Sequence, residues 1–435
     1  MNKFLPIKNK KIGIIGFGSS GKSAAKLALK LGAKVFITDT NIKNEFSMKS
    51  VEAEFGKHSD KILKSDIIIK SPGIPRNINI LKKIKKLSIP VVSEIEFASW
   101  FTKLDIISLT GTNGKTTTVN LINEILNKNN ISTYLGGNVG IPFSENVLKE
   151  IKNKKNKNFH LLELSSFQLE DIFYFKPKIS IILNLKPDHM NRYENFNEYK
   201  KAKLNILLNQ DKNCLAIINQ NIKISNYRNE SNVINFNIND KKIFINNRIQ
   251  NLDFKNYKLS GFHNLENIAA TKIVANHLKI PNENVEKYIK SFSPLEHRFE
   301  KLKINSHKNF YNDSKATNLS ATIAAIESIS KNIILILGGK DKNESDFSIL
   351  KKYKNRIKCI ISYGESRFLI KEKLNEIFTI YVNLNFSKAV LKSIKISNSN
   401  DNILLSPACA SYDQFNSYEE RGDNFKRIIN EYYDK

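Results

Sequence analysis

Short apolar runs alternate with longer segments of helical periodicity along most of the chain. The N-terminal stretch KIGIIGFGSSGKSAAKLALKLGAKVFITDT predicts a strand, a glycine turn, a helix and a second strand. Further strands are predicted at DIIIKSPGIP and IPVVSE. Strands that alternate with helices favour a parallel sheet with helices on its faces.

The same order of elements recurs twice more. A strand from Asp105, a glycine loop and a helix from about Lys115 open the second unit, which continues with strands at FHLLELS, ISIILNL and CLAIINQ. The asparagine-rich stretch from about residue 219 to 259 predicts small strands on one side of it. The last third has strands at NIILILGG, RIKCIISYG and NILLSPA. We therefore predict an α/β protein of three consecutive domains, residues 1–92, 93–296 and 297–435.

Length and composition agree with a globular protein that is large enough for several domains. Its 435 residues are 41% hydrophobic, enough to build several cores. The net charge is +27, from 69 Lys and Arg against 42 Asp and Glu. Because the lysines are spread along the whole chain, this charge favours a solvated basic surface over a nucleic-acid groove. Such a surface can still attract anionic small substrates.

Cysteine content and hydropathy point to the cytoplasm. Three cysteines, Cys214, Cys359 and Cys409, are too few and too scattered for a disulfide framework or a zinc site. No apolar run approaches the ~18 residues of a membrane span. Charges occupy the N-terminal stretch where a signal peptide has its apolar core. We expect a soluble, cytoplasmic monomer without membrane or nucleic-acid partners.

The stretch LTGTNGKTTTVN predicts a phosphate-binding loop, although it is one glycine short of the usual G-x-x-x-x-G-K-[S/T] pattern. Amides around Gly111 and Gly114 can surround phosphate oxygens, and Lys115 can place its charge on the β- and γ-phosphates. Thr116 can offer its hydroxyl to Mg²⁺. The preceding strand and following helix are the context that this site requires. The second domain is therefore expected to be P-loop ATPase-like, with a parallel sheet and extra small strands.

The N-terminal Gly16-x-Gly18-x-x-Gly21 follows a strand and opens a helix, and Asp39 ends the next strand. This context is typical of a Rossmann-like dinucleotide fold. By itself it fits NAD or FAD about as well as another phosphate-bearing ligand. A second phosphate loop shifts the balance away from hydride chemistry, which has no need of one. The last third shows the same Rossmann-like order of elements.

Polar residues concentrate where other predicted strands end. Glu163 closes an apolar strand, where a carboxylate near a phosphate loop can hold Mg²⁺. The segment DHMNRY places His189 and Arg192 directly after a strand, and Lys203 follows on a probable helix. In the last third, polar segments after apolar strands suggest a small anionic ligand. Cys409 is interpreted as a small packed residue, since no base motif is adjacent.

These segments together resemble the Mur ligases, a family of ATP-dependent amide ligases of peptidoglycan precursor synthesis. The shortened loop TGTNGKTT is that family's own variant, and ELSSFQLE, DHMNRY, NDSKATN and LSPACASYDQF are similar to its D-glutamate-adding branch. The likeness runs in order from the first strand to the C-terminus. Two departures are Asn191, where the family often has Asp, and GGKDK, where it often has GGDGK.

The resemblance implies that ATP, UDP-N-acetylmuramoyl-L-alanine and D-glutamate react through an acyl phosphate and a tetrahedral intermediate. It implies catalytic roles for Lys115, His189 and Lys203, with Lys203 carbamylated by CO₂. It implies two Mg²⁺ ions held by Thr116, Glu163, His189 and the modified Lys203.

The resemblance also implies the binding residues. Those for the nucleotide are Gly111, Thr112, Asn113, Gly114, Lys115, Thr116, Thr117, Asn264, Asn267, Arg298 and Asp313. Those for D-glutamate are Lys315, Thr317, Lys342, Ser411, Tyr412 and Tyr418. Those for the UDP-muramoyl substrate are Ser19, Ser20, Asp39, Thr40, Ser71, Gly73 and Asn138, so the N-terminal fingerprint becomes a UDP-sugar site.

Three other functions stay open at the level of sequence. The first is another ligase of the same family: one that adds L-alanine, one that adds a diamino acid, or one that adds glutamate to folate. The second is a basic P-loop protein that binds nucleic acid, and the third is a nicotinamide oxidoreductase.

Overall fold

Three β-sheets follow one another along the chain in the structure, a computed structural model. It describes residues 4–42, 48, 51–153, 157–224, 227, 229–240, 242–250, 257–259, 261, 264–341 and 346–434.

The first sheet is parallel throughout. Its strands are β1 (Lys11–Ile15), β2 (Lys34–Asp39), β3 (Glu52–Phe55), β4 (Ile67–Lys70) and β5 (Val91–Ser93). Its helices are α1 (Ser19–Lys30), α2 (Asn79–Lys86) and α3 (Glu94–Ser99), and a short 3₁₀ helix spans Asp60–Lys64. The strands lie in the order β3-β2-β1-β4-β5. β3 was not predicted, so the segment DIIIK forms the fourth strand of the chain rather than the third.

The second sheet is mixed and larger. Its strands are β6 (Asp105–Thr110), β7 (Thr133–Gly137), β8 (Phe159–Glu163), β9 (Ile179–Ile182), β10 (Leu215–Asn219), β11 (Asn232–Asn239), β12 (Lys242–Ile245) and β13 (Arg248–Gln250). Its helices are α4 (Lys115–Lys128), α5 (Phe143–Lys152), α6 (Phe196–Leu204), α7 (Asn264–His277) and α8 (Asn282–Ser291). The order is β13-β12-β11-β10-β9-β6-β8-β7, and only the β11–β12 and β12–β13 pairings are antiparallel. The asparagine-rich segment thus supplies the predicted small strands at one edge.

The third sheet is parallel except at one edge. Its strands are β14 (Glu300–Lys301), β15 (Asn309–Asn312), β16 (Ile333–Gly338), β17 (Ile357–Tyr363), β18 (Ile380–Val382) and β19 (Asn402–Ala408). Its helices are α9 (Leu319–Glu327), α10 (Arg367–Leu374), α11 (Phe386–Ile396) and α12 (Tyr418–Tyr433). The order is β14-β15-β19-β16-β17-β18, with an antiparallel β14–β15 pair.

The topology of the second sheet locates a crevice. From β6 the chain moves to β7 and β8 on one side, and from β9 onward it builds the other side. Strand connections therefore diverge between β6 and β9, where open α/β sheets bind ligands beyond the carboxyl ends of their strands. The strands here are apolar and buried on both faces, as Ile-rich parallel strands between helix layers must be.

Apolar packing joins the first two sheets. One core cluster contains Ile14 and Ile69 of the first sheet together with Leu162 and Ile182 of the second. The predicted domain boundaries after residues 92 and 296 stay predictions; β5 extends to Ser93, and the second boundary lies between α8 and β14. In the described part of the chain, no helix has both the length and the apolar character needed to cross a membrane.

Candidate active site

The predicted phosphate loop leaves the carboxyl end of β6 and turns into α4 at Gly114. Gly114 precedes the helix with a φ of 84°, a conformation that side chains disfavour. A Cβ atom there would lie 2.3 Å from Oδ1 of Asn267, so the close approach of α7 also requires glycine. The Nζ atom of Lys115 donates to the carbonyl oxygens of Gly111 and Thr112, each at 2.9 Å. The loop is thus curled around its own lysine.

The side-chain amide of Asn184 holds the backbone of this loop. Asn184 accepts from the backbone N–H of Asn113 at 2.9 Å and donates to its carbonyl oxygen at 3.2 Å. Glu266 accepts from the same Asn184 amide at 2.7 Å. Burial raises the pKa of Glu266 above its usual range. Neither Asn184 nor Glu266 was predicted, although the position of Asn184 shortly after β9 was a signal available in the sequence.

The carboxylate of Glu163 closes β8 beside the loop and is buried. Its Oε1 atom accepts from Nδ2 of Asn138 at 2.9 Å. Its Oε2 atom is buried and has no hydrogen-bond partner among the described residues. A buried carboxylate oxygen without a donor is costly, and a hard cation would satisfy it.

Lys203 lies at the base of the loop. It is buried on α6, and its Nζ atom donates to the carbonyl oxygen of Gly111 at 2.8 Å and to Thr110 Oγ1 at 3.4 Å. Burial, reinforced by the nearby Lys115 charge, holds the pKa of Lys203 well below its usual range. The amine is therefore far more often neutral than an exposed lysine would be.

His189 lines the cavity that the phosphate loop and Lys203 also line. Its backbone has a φ of 61°, and its N–H donates to Asp188 Oδ1 at 2.9 Å. The ring meets that of Phe167 edge-on, with centroids 4.9 Å apart. Asp188 and the aromatic ring together fix where this imidazole can point.

Arg192 connects this region with the first sheet. Its guanidinium stacks on the Phe167 ring at 4.5 Å. Its NH groups donate to the carbonyl oxygens of Pro72, Gly73 and Ile74 at 3.4, 3.2 and 3.2 Å. Arg192 therefore helps to hold the segment after β4 against the second sheet.

The third sheet contributes three charged groups to the cleft. Arg298 donates to Thr116 Oγ1 at 2.6 Å. Lys315 lies 3.7 Å from the ring centre of Tyr418, and burial lowers the pKa of Lys315 to about 8. Burial also raises the pKa of Asp313 to about 7, although that carboxyl group accepts from Ser406 at 2.8 Å. Arg298 and Lys315 thus bring positively charged groups into the cavity that the loop lines.

Two adjoining cavities gather most of the predicted residues. Those lining the first are Asn113, Gly114, Thr117, Asn264, Asn267, Arg298, Asp313 and Lys315. Those lining the second are Thr112, Asn113, Gly114, Lys115, Thr116, Asn138, Glu163, His189, Lys203, Arg298, Lys315, Thr317, Ser411, Tyr412 and Tyr418. Gly111 lies at the loop base, where its carbonyl oxygen accepts from Lys115 and Lys203.

The predicted UDP-muramoyl residues of the first sheet lie apart from these cavities. Ser19 and Ser20 begin α1, Asp39 ends β2 and Thr40 follows it, while Ser71 and Gly73 follow β4. Asp39 accepts from the backbone N–H of Phe17 at 2.6 Å and of Asn41 at 2.8 Å, and Ser71 donates to the carbonyl oxygen of Gly16 at 2.9 Å. These contacts shape the turn after β1. Lys342 lies outside the described residues.

One supporting residue was missed entirely. Arg421 on α12 is fully buried and donates to the Ser314 hydroxyl and carbonyl oxygens at 2.9 and 2.7 Å. It also donates to the Cys409 carbonyl oxygen at 3.2 Å. It thereby ties together the two segments that carry Lys315 and Ser411. Cys409 itself is packed as predicted, and burial raises the pKa of its thiol to about 12.

The donor set suits a hard cation with oxygen ligands. Glu163 Oε2 and the Thr116 hydroxyl line one cavity with His189. Across the described ranges no three His, Cys, Asp or Glu side chains are grouped for metal binding. Besides Glu163, the same cavity is lined by the carboxylate of Asp188.

Comparisons with known proteins agree with this geometry. The family model of the Mur ligase middle domain matches residues 109–282, and that of the Mur ligase MurD-like N-terminal domain matches residues 10–93. The UDP-N-acetylmuramoylalanine–D-glutamate ligase of Christiangramia forsetii is 37% identical over 97% of this chain and 99% of its own length. The ligase of the same name from Elusimicrobium minutum is 38% identical over 98% and 99%.

Solved structures share the fold. The UDP-N-acetylmuramate–alanine ligase MurC of Thermotoga maritima has a TM-score of 0.59 at 18% identity, covering 98% of this chain and 99% of its own. The MurF ligase of Thermotoga maritima in complex with ADP has a TM-score of 0.61 at 14% identity, covering 98% and 96%. The predicted three-unit α/β architecture is thus confirmed.

Proposed function

The chain belongs to the Mur ligase family, and on this premise we propose that it joins D-glutamate to UDP-N-acetylmuramoyl-L-alanine while ATP becomes ADP and phosphate. This is an ATP-dependent ligation in peptidoglycan precursor synthesis. The observation that carries the proposal is a single cavity lined by the phosphate loop, Glu163 and the segment around Lys315. A phosphoryl donor and an anionic amino acid can meet there.

The reaction divides one difficult step into two. A carboxylate is a poor electrophile, so its oxygen first attacks the γ-phosphorus of ATP, forming an acyl phosphate and releasing ADP. The amine of D-glutamate then attacks the acyl carbon, and the tetrahedral intermediate expels phosphate to leave the amide. Little covalent chemistry falls to the protein, so positioning and charge stabilisation dominate.

Each group in the cleft has a place in this scheme. Lys115 and the loop amides hold the β- and γ-phosphates. Asn264 and Asn267 flank the nucleoside side of the loop, with Arg298 and Asp313 across from them. Lys315, Thr317, Ser411, Tyr412 and Tyr418 receive D-glutamate, and we assign Lys342 to the same group from the sequence alone. The carboxyl edge of the first sheet, with Asn138, receives the UDP-muramoyl substrate.

Divalent cations fit the residues present. Thr116 and Glu163 would hold one Mg²⁺, and His189 with carbamylated Lys203 would support a second. When bound, Mg²⁺ neutralises charge on the phosphate oxygens. Carbamylation needs a neutral amine: the Lys203 nitrogen attacks the carbon of CO₂, an N–C bond forms, and a proton leaves to solvent. The lowered pKa of Lys203 favours that reaction at neutral pH.

We further propose a monomer that works in the cytoplasm without nucleic-acid or membrane partners. Support comes from the three cysteines, all buried as free thiols, and from a nucleotide-dependent reaction.

Phosphate release from ATP tests the proposed function. Release is measured with UDP-N-acetylmuramoyl-L-alanine present, comparing D-glutamate, L-glutamate, L-alanine and meso-diaminopimelate. We expect release that requires D-glutamate and is lost in Lys115→Ala. Release with a different amino acid would keep the family and overturn the assignment of the pocket. No release from folded protein would overturn the proposed reaction.

A further inference from the structure

Two side chains at the start of α9 reach across to the phosphate loop. Asn113 donates through Nδ2 to Ser320 Oγ at 2.8 Å, and Ser320 Oγ donates to Asn318 Oδ1 at 2.9 Å. Asn318 Nδ2 lies 3.3 Å from Asn113 Oδ1 and donates to it. The three side chains thus form a closed ring of hydrogen bonds between the second and third sheets.

The same Asn318 amide also reaches the catalytic side of the cleft. Its Nδ2 atom donates to Asp188 Oδ2 at 3.2 Å, while Asp188 Oδ1 accepts from the backbone N–H of His189. One amide group therefore touches the nucleotide loop and the segment that carries His189. Asn113 lines both cavities, so its side chain lies where the two sites meet.

Asn113 and Asn318 belong to segments that bind different ligands in the proposed function. The Asn113 backbone is held by Asn184, which fixes the loop that surrounds the phosphates. Asn318 directly follows Thr317 and lies in the same segment as Lys315, both of them proposed D-glutamate contacts. Its Oδ1 atom accepts from Ala321 N–H at 2.9 Å and so caps α9. The amino-acid segment is thereby connected to the loop by side-chain hydrogen bonds as well as by the chain itself.

We propose that Asn318 is a positioning residue that couples nucleotide binding to amino-acid binding, an inference that rests on the proposed function. With D-glutamate bound, Lys315 and Thr317 are immobilised, and Asn318 is then presented to Asn113 and Asp188 in the geometry they need. Coupling between two sites is reciprocal, so bound nucleotide also favours the amino acid. Asn318 does not touch the reacting atoms in this proposal.

Substitution to serine separates coupling from helix capping. Serine is a good N-cap residue, so Asn318→Ser keeps the acceptor for Ala321 but lacks the amide donor for Asn113 and Asp188. Ser320→Ala removes the other link of the ring. Asn385→Ser is the matched control, since Asn385 caps α11 of the same sheet by accepting from Lys388 at 2.8 Å and lines neither cavity.

The measurement is the dissociation constant of the Mg²⁺ complex of the non-hydrolysable analogue AMPPNP, by calorimetry on the full chain. It is taken with saturating UDP-N-acetylmuramoyl-L-alanine, first without and then with saturating D-glutamate. We expect D-glutamate to tighten AMPPNP binding about fivefold or more in the unmodified protein and in Asn385→Ser. In Asn318→Ser and Ser320→Ala the ratio should fall below about twofold.

Two results would overturn the inference alone: no tightening in the unmodified protein that nevertheless turns over D-glutamate, or full tightening in Asn318→Ser. Phosphate release with D-glutamate, run on the same preparation, separates these from failure of the proposed function. If the unmodified protein does not turn over, the proposed function and this inference fall together.

Discussion

Burial sets the chemistry of single side chains in this cleft. It lowers the pKa of Lys203 and Lys315 and raises that of Asp313, so the charged form of each group is less favoured than it would be in water. Groups of this kind cluster at functional sites because proton positions there must change during turnover. Neutral Lys203, in particular, is a nucleophile rather than a cation.

Lys203 is expected to carry a carbamate. Protein incubated with ¹³C-bicarbonate should show a carbamate carbon signal by NMR that is absent from Lys203→Ala, and the signal should weaken as pH falls because protonated amine cannot react with CO₂. The ligase activity of Lys203→Ala should be at least about tenfold lower than that of the unmodified protein. Lys201→Ala, on the exposed side of the same helix, is the control and should keep both. An identical signal in Lys203→Ala would place the modification elsewhere.

Individual residues were predictable where a motif carried them. The sequence identified Lys115, Glu163 and Lys203, and the structure places all three around one cavity. It did not identify Asn184, Glu266 or Arg421, because each acts by contacting residues far away in the chain. Only Asn184 had a local signal, its position shortly after β9, whereas Glu266 and Arg421 lie within helices and follow no motif.

At the scale of elements, glycine geometry decides where α4 begins. Gly114 needs both its left-handed backbone and its close contact with Asn267, whereas Gly18, which precedes α1, has a φ of −74° and no atom within 4 Å of a Cβ. The two glycines thus look alike in sequence but meet different constraints.

Gly114→Ala should therefore abolish measurable nucleotide binding and destabilise the fold by about 1–2 kcal/mol or more, from the backbone conformation alone. Gly18→Ala should change nucleotide affinity and stability little. Denaturant unfolding and AMPPNP calorimetry give the two quantities. Equal losses in both variants would show that the loop does not depend on this geometry.

Glu94 links the start of α3 to α5. Its carboxylate is buried and accepts from the backbone N–H of Ser144 in the first turn of α5, and burial raises its pKa to about 7. Between about pH 4.5 and 7 the native state then holds a proton that the unfolded state has lost. The contribution of Glu94 to the free energy of unfolding is therefore fully present below that range. It falls as pH rises through the range, by up to about 1.4 kcal/mol per pH unit.

Glu94→Gln cannot titrate, so its free energy of unfolding should lack that part of the pH slope. Urea unfolding at several pH values between 4.5 and 7.5 measures the difference. Glu145→Gln is the control, because Glu145 lies in the same turn of α5 but is partly exposed. Parallel slopes for Glu94→Gln and the unmodified protein would contradict the assignment.

Strands were predicted well where they were apolar and poorly where they were not. β6, β9 and β16 are mainly apolar and lie where predicted. β3 has the sequence EAEF at a sheet edge, and β7 contains two glycines. Their pairing comes from neighbouring strands rather than from their own pattern, which is why sequence periodicity missed them.

At the scale of the whole molecule, the first two sheets are joined by more than apolar packing. Lys70 forms ion pairs with Glu170 at 3.4 Å and Asp171 at 3.2 Å in buried surroundings. Arg192 adds the three carbonyl contacts after β4. These long-range contacts could not be predicted, since their partners lie about a hundred residues apart.

Arg192→Lys should raise the KM for UDP-N-acetylmuramoyl-L-alanine about tenfold with a smaller change in kcat, because lysine keeps the charge but cannot reach three carbonyls as a fork. Arg356→Lys is the matched control: Arg356 also donates to backbone carbonyl oxygens, those of Glu327 and Ile329, and itself lines neither cavity. Steady-state phosphate release measures both. A fall in kcat with unchanged KM would contradict a positioning role on the substrate side.

On the proposed assignments, the side chains that choose the amino acid belong to the third sheet, while the phosphate loop and Glu163 belong to the second. Inherited changes downstream of Arg298 could therefore alter the choice of amino acid without rebuilding the machinery that uses ATP. A duplicated gene needs to diverge only in its final third to encode a ligase for a different building block.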